Sequence, residues 1–334
     1  MDQRIKLADN LEICRILNGM WQVSGAHGYI DPQKAIDEMI QYHDLGFTTW
    51  DLADIYGPAE SFIGKFRAKI ENLKGKEELK NSQALTKFVP NPGPMSKNIV
   101  EYSIDQSLQK MNTIQLDLIQ FHWWDYNDPS YLDALIHLSE LRDEGKIKHV
   151  GLTNFDTERL QIITENGVRI VTNQVQYSIL DDRPEKLLTP FCNKNNIQIL
   201  SYGTLLGGFL SETYLGKPEP FKGSLDTASL RKYYNMIVTW GGWQLFQELL
   251  LVLSQISQKH QCSIANVATS YILQKPSVAG VIIGARLGLS EHREDNRQVF
   301  HIHLDSQDKS EIKSVTDKSN DLFTVIGDCG SEYR

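Results

Sequence analysis

Four side chains of complementary acid–base type stand at the ends of three consecutive apolar runs. Asp51 lies in "FTTWDLA" (47–53) with Tyr56 five residues on, Lys87 lies in "QALTKFV" (83–89), and His122 closes "LDLIQFH" (116–122). A carboxylate, a phenol, an ammonium and an imidazole brought together perturb one another's ionisation, which is the condition for proton transfer near neutral pH. Any one of them alone is more often a solvated or packed side chain, so the set carries the inference. His122 is the pivotal case: "DLIQFHWWDYND" (117–128) delivers it from what reads as a buried strand directly into two tryptophans and then acids. Its residue type admits core packing, metal ligation or a place in a proton-transfer site.

Bringing these residues together needs a scaffold, and the chain supplies a regular one. Eight short apolar or β-branched runs recur, at 15–22, 47–53, 83–89, 116–122, 147–153, 169–175, 197–203 and 278–284. Segments such as "DPQKAIDEMIQYHDLG" and "PSYLDALIHLSELRDEGK" lie between them, with apolar residues at helical spacing. Asp31 before Pro32 reads as an N-cap with proline in the first turn, and Gly46 and Gly145 stand where helices should end. This alternation predicts an α/β fold, a (β/α)8 barrel of the TIM type, as a single domain over 1–334. An open doubly wound sheet is the competitor, but no G-x-G-x-x-G turn follows an early strand. "IKLADNLEI" (5–13) predicts a hairpin ahead of the barrel that caps its floor. The stretch 203–243, after the seventh run, reads as a long loop whose aromatic content favours a lid.

In such a barrel the chemistry collects at the C-terminal ends of the strands. There the runs deliver Asp51 with Tyr56, then Lys87, His122, Asn154, Gln174, Tyr202 and Arg286. The alternative of a metal-dependent hydrolase has only "HIH" (His301–His303) behind it. That pair follows the last strand, and no second histidine accompanies His122, so no metal site is expected.

Bulk composition is that of an ordinary globular chain: 334 residues, 41% hydrophobic, 23% charged, net charge −8. The negative balance argues against nucleic acid or an anionic membrane as partner. Four scattered cysteines without a C-x-x-C, no signal-like N-terminus and no apolar run of about 18 residues predict a cytoplasmic protein with reduced thiols.

In order along the chain, "GFTTWDLADIYG" (46–57), "TK" (86–87), "DLIQFHWWD" (117–125), "GLTNF" (151–155), "NQVQYSIL" (173–180) and "IIGARLGLSEHREDN" (282–296) resemble the successive signatures of the aldo-keto reductases. The resemblance implies an NADPH/NADP+-dependent oxidoreductase that reduces the carbonyl of a small aldehyde or ketone to an alcohol, as a monomer or small homo-oligomer. It also leaves open a nucleotide-binding regulatory or channel-type subunit with little turnover.

Carried over residue by residue, Tyr56 is the general acid, Lys87 its activator, Asp51 the group that orients the lysine, and His122 the residue that hydrogen-bonds the carbonyl. A cation about 4 Å away is worth up to ~4 kcal/mol at an effective dielectric of ~20, so Lys87 is expected to depress the Tyr56 pKa by about one or two units. The implied cofactor set is Met20, Trp21, Asn154, Gln174, Tyr202, Leu205, Gly207, Gly284, Arg286, His292, Asp295 and Asn296. Of these, Asn154 and Gln174 hold the nicotinamide carboxamide, Tyr202 stacks on its ring, and Arg286 with His292 meets a 2'-phosphate. Trp21, Trp123 and Trp124 are the implied substrate pocket. In the tail, Phe323 and Tyr333 are the aromatics expected nearest the substrate.

Overall fold

The structure, a computed structural model, describes residues 1–25, 30–289 and 291–333. It opens with an antiparallel hairpin, β1 (Arg4–Ala8) and β2 (Leu11–Cys14). Then follow β3 (Ile16–Gly19), α1 (Pro32–Asp44), β4 (Thr49–Asp51), α2 (Ala59–Lys74), β5 (Gln83–Phe88), α3 (Lys97–Lys110), β6 (Leu118–Phe121) and α4 (Tyr131–Asp143). The pattern continues with β7 (Val150–Thr153), α5 (Thr157–Glu165), β8 (Thr172–Gln176), α6 (Leu188–Asn195), β9 (Gln198–Tyr202), α7 (Ala228–Trp240), α8 (Gly242–His260), α9 (Ile264–Leu273) and β10 (Val278–Gly284). Three helices close the chain: α10 (Arg293–Gln298), α11 (Ser306–Thr316) and α12 (Leu322–Ile326). Strands β3 to β10 are the eight expected runs, and they close in parallel in the order β10-β3-β4-β5-β6-β7-β8-β9.

Strand parity separates two environments. On β5 and β6 the residues Ala84, Phe88, Ile119 and Phe121 face outward into the layer beneath the helices, whereas Leu85 and Leu118 point into the barrel. The outward layer is mainly apolar: Phe66, Phe121 and Phe155 are completely buried, each stabilising by about 1.5–3 kcal/mol, and the outward Thr86 is satisfied by donating to Glu60 of α2 at 2.8 Å. Inside, Leu17, Leu85, Leu118 and Leu200 meet Leu7, Leu11 and Ile13 of the hairpin, so the hairpin caps the floor as expected. Above that apolar plug the inward positions become polar.

Helix ends follow local rules. Asp31 caps α1 by accepting from the Lys34 amide at 2.9 Å, with Pro32 in the first turn. Gly46 and Gly145 adopt φ of 89° and 88° just past the ends of α1 and α4, a conformation that favours glycine.

The 203–243 segment differs from expectation. After short turns at 206–208, 212–214 and 222–224 it forms α7, which meets α8 at 97° across Gly241. Tyr233, Tyr234, Met236, Ile237 and Trp240 recur at helical spacing and are buried, while Trp243 packs with Phe246 and Phe209. The aromatics that suggested a lid are therefore a second apolar core. Their helical period was obscured by the glycines that flank it. No single helix among the described residues is long and apolar enough to cross a membrane.

Where α2 meets α3, a Cβ on Gly64 would collide with the Lys110 carbonyl oxygen, and backbone cannot give way as a side chain can. Gly64→Ala is expected to destabilise the fold by about 1–3 kcal/mol in urea denaturation. The exposed neighbour variant Lys65→Ala should stay within about 0.5 kcal/mol.

Candidate active site

The polar layer inside the barrel is organised around Asp51, the last residue of β4. Lys87, on the inward face of β5, donates to both Asp51 oxygens at 2.8 and 2.7 Å and to the Leu52 carbonyl at 3.0 Å. Gln120 Nε2 from β6 and Gln174 Nε2 from β8 also donate to Asp51 Oδ1, at 3.0 and 2.6 Å. Both charged side chains are only 5% exposed. Ions this deep in a protein persist only when paired and fully hydrogen-bonded, and these are. Burial pulls the Lys87 ammonium below its ordinary pKa, with Asp51 opposing.

Tyr56 lies in the turn between β4 and α2, its ring edge-on to Trp21 at 5.0 Å and its centroid 5.1 Å from Lys87 Nζ. Here the structure corrects the expectation. The phenol is pushed well above 10, first by burial, then by the negative fields of Asp51, Tyr333 and Asp54. Lys87, paired with Asp51 at contact distance, does not overcome these influences. Burial and the neighbouring negative charges thus favour the protonated phenol.

His122 follows β6 with its amide donating to the Phe88 carbonyl at 3.0 Å. Its Nδ1 lies 3.1 Å from the Thr153 carbonyl, which can only accept, so Nδ1 carries a proton and a neutral ring offers Nε2 as an acceptor. Donation from Nε2 to a carbonyl requires the imidazolium, a condition that residue type alone does not reveal.

Parity also sorts the tryptophans. Trp124, with the parity of His122, stands 4.3 Å from its ring at 89° and is 37% exposed, as is Trp21. Trp123, with the parity of Phe121, is wholly buried and donates from Nε1 to the Asp128 carbonyl at 2.9 Å. It belongs to the core and not to the substrate pocket.

The expected cofactor residues divide. Tyr202, at the end of β9, donates from its hydroxyl to Asn154 Oδ1 at 2.8 Å, so these two meet at the mouth. Gln174 instead spends its amide nitrogen on Asp51 and on Gln120 Oε1 at 2.7 Å, inside the barrel. Met20 is buried in the core, its amide bonded to the Asp51 carbonyl at 2.9 Å. Leu205 packs on the second core, and Leu206 and Gly207 follow with φ of 51° and 68°, a tight turn secured by the buried Leu206 side chain.

Gly284, which ends β10, and Arg286 and His292 beyond it are exposed, while Asn296 is buried. Asp295 turns away from the mouth to accept from Ser263 Oγ and Asn266 Nδ2, both at 3.0 Å, tying α10 to the start of α9.

Gln22 Oε1, Ser24 Oγ and Gln176 Oε1 are buried without a hydrogen-bond partner. The Gln22 side chain packs over Gly284, the last residue of β10, and the Ser24 backbone lies against Gly57 beside Tyr56. Unused polar capacity of this kind suits a polar, extended ligand such as a nicotinamide dinucleotide. No group of three or more His, Cys, Asp or Glu able to hold a metal ion occurs among the described residues, and His301 and His303 flank the buried Ile302 as exposed side chains.

Four contributors went unnoticed in the sequence. Gln120 had a signal, since it shares the alternation of His122. Asp54 sits two residues before Tyr56 with Oδ1 buried and unpartnered, its carboxyl raised to about 6 by burial. Lys232, on α7, reaches the mouth from a segment read as loop, and donates to the Tyr333 hydroxyl at 2.6 Å. Arg183, buried with Asp181, carries Glu332 at 2.9 Å.

The family model described as "Aldo/keto reductase family" matches residues 15–317. The chain belongs to this family. It is 24% identical over 334 residues to the NADH-specific methylglyoxal reductase of Escherichia coli (strain K12), covering 92% of this chain and 96% of that one. It is 26% identical over 333 residues to the aldo-keto reductase YhdN of Bacillus subtilis (strain 168), covering 97% and 94%. A solved thermostable aldo-keto reductase in complex with the inhibitor epalrestat shares the fold at a TM-score of 0.72 and 22% identity, covering 93% of this chain and 99% of that one. Family membership makes this an oxidoreductase that uses a nicotinamide cofactor on small carbonyl substrates.

Two predictions follow from the charges of this aldo-keto reductase's mouth. Lys87→Met leaves Asp51 buried without its cation and should cost about 3–5 kcal/mol in denaturant unfolding, most of it recovered when Asp51→Asn is added. Asp54 has a folded pKa, about 6, above its ordinary value of 3.8. The stability it contributes is present below 3.8 and lost as pH rises through about 6. Asp54→Asn should therefore raise Tm relative to the parent above that pH and lose the advantage below 3.8, and a difference that does not vary with pH would refute the assignment.

Proposed function

We propose that the chain is an NADPH-dependent carbonyl reductase, able to run in reverse as an alcohol dehydrogenase, on apolar or aromatic aldehydes and ketones. The observation that carries this is the convergence, at one barrel mouth, of a protonated Tyr56, the buried Lys87–Asp51 pair and an oriented His122.

Tyr202 and Asn154, which meet at the mouth, would hold a reduced nicotinamide, whose chemistry when bound would be hydride donation to the carbonyl carbon. Tyr56 gives its proton to the carbonyl oxygen as negative charge develops there, and Lys87 lies close enough to stabilise the phenolate that remains. Asp51, fixed by Gln120 and Gln174, keeps Lys87 in place. His122, with Nδ1–H committed to Thr153, donates from Nε2 only as the imidazolium and as the neutral ring accepts from an alcohol. Trp21 and Trp124 form half-exposed apolar walls beside Tyr56 and His122, which suits an apolar carbonyl substituent.

For cofactor choice, Arg286 is exposed and makes no ion pair with a described residue, whereas Arg293 is engaged by Glu291. The uncommitted guanidinium, with His292 nearby in sequence, supports recognition of a 2'-phosphate and hence NADPH over NADH.

Tyr56→Phe is expected to lower kcat by about 10²–10⁴-fold while leaving the NADPH Kd from tryptophan quenching unchanged. His122→Ala should likewise reduce turnover far more than affinity. Arg286→Ala should weaken NADPH about tenfold and NADH hardly at all, which separates the cofactor assignment from the catalytic one. Protein that binds NADPH but oxidises it with no member of an aldehyde and quinone panel would instead be a nucleotide-binding subunit.

A further inference from the structure

We infer that the Glu332–Tyr333 segment occupies the space between His122 and Tyr202, so that its docking and the binding of a cofactor's nicotinamide end exclude one another. The inference rests on the reductase assignment of Tyr202 and Asn154.

The Tyr333 ring stands edge-on to His122, 6.2 Å between centroids at 81°. Its hydroxyl lies 3.0 Å from the Tyr202 hydroxyl, which also donates to Asn154. One phenol thus lies against the imidazole assigned to the carbonyl and against the aromatic assigned to the nicotinamide ring. Two unrelated side chains hold it there. Lys232 Nζ donates to the Tyr333 hydroxyl at 2.6 Å and lies 4.6 Å from its ring centroid. Glu332, with 11% of its side chain exposed, pairs with Arg183 at 2.9 Å.

The arrangement has a fixed base and a releasable tip. Asp328 accepts from the Thr157 amide at the start of α5 at 2.8 Å, and the Cys329 side chain is buried in the barrel core. Between that base and the tip stands Gly330, with φ of 85°. Arg183 stays anchored without the tip, because Asp181 binds it through two contacts of 2.7 and 2.8 Å. Lys232 likewise lies over the rings of Tyr202 and Tyr233, at 5.3 and 5.5 Å. Withdrawal of Glu332 and Tyr333 therefore breaks contacts that the rest of the mouth does not need. A ligand that binds only the open form shows an affinity reduced by the open fraction, and it expels the segment to the same extent that the segment excludes it.

The test measures NADPH affinity by tryptophan quenching for the parent chain, Tyr333→Ala, Glu332→Gln and Tyr202→Ala. Untying the tip is expected to tighten NADPH by about tenfold in Tyr333→Ala and in Glu332→Gln, whereas Tyr202→Ala weakens it. Unchanged or weaker binding in both tip variants overturns the inference, since the segment would then be neutral or a lid that helps hold the cofactor. Unchanged binding in Tyr202→Ala overturns the site assignment itself, whatever the tip variants do. Hydrogen exchange supplies a readout independent of substitution: saturating NADPH should speed amide exchange over 330–333, and slower exchange there contradicts mutual exclusion.

Discussion

The mouth of this barrel depends on a single buried ion pair. Lys87 and Asp51 are almost completely removed from water, and each would carry a desolvation penalty of several kcal/mol if left alone. What makes the pair tolerable is its shell: two lysine bonds, two glutamine amides and a backbone carbonyl, drawn from β4, β5, β6 and β8. No two adjacent strands could provide that shell. Only closure of the sheet brings β8 across the barrel to β4, so the electrostatic centre and the barrel topology require each other.

That requirement explains how the site's chemistry is distributed. With Lys87 paired to Asp51 at contact distance, burial and the neighbouring negative charges prevail at Tyr56 and favour its protonated form. Gln174 belongs to the same network, which is why its amide points inward while Asn154 and Tyr202 meet at the rim. His122 is oriented separately, by a backbone carbonyl of β7, so its hydrogen-bonding polarity is set by its own protonation and not by the ion pair.

The second apolar core extends this scaffold. With Phe209, Trp240, Trp243 and Phe246 in one buried cluster, α7 is packed into an apolar core beside the barrel. That helix presents Lys232 to the mouth. The tail then crosses the same space, linking α5, Arg183 and Lys232. Residues from widely separated parts of the chain, 122, 202, 232 and 333, thereby share one small volume.

By itself the sequence determined the eight strands, the floor hairpin, the capped helices and the placement of Asp51, Lys87 and His122 at the ends of successive strands. Those features are written in local periodicity and order: alternating or continuous apolar runs, helical spacing, and polar residues at run ends. Alternation even contained the distinction between Trp123 and Trp124, and the place of Gln120, once counted from His122. Tertiary structure alone decided where shared groups spend their hydrogen bonds and charge. Gln174 turned inward because Asp51 needed donors, Asp295 turned to α9 because Ser263 and Asn266 were there to meet it, and Tyr56 rose in pKa because burial and neighbouring negative charges outweigh a cation paired with Asp51. Each of these outcomes is a competition among partners distant in sequence, and no local pattern records which partner wins.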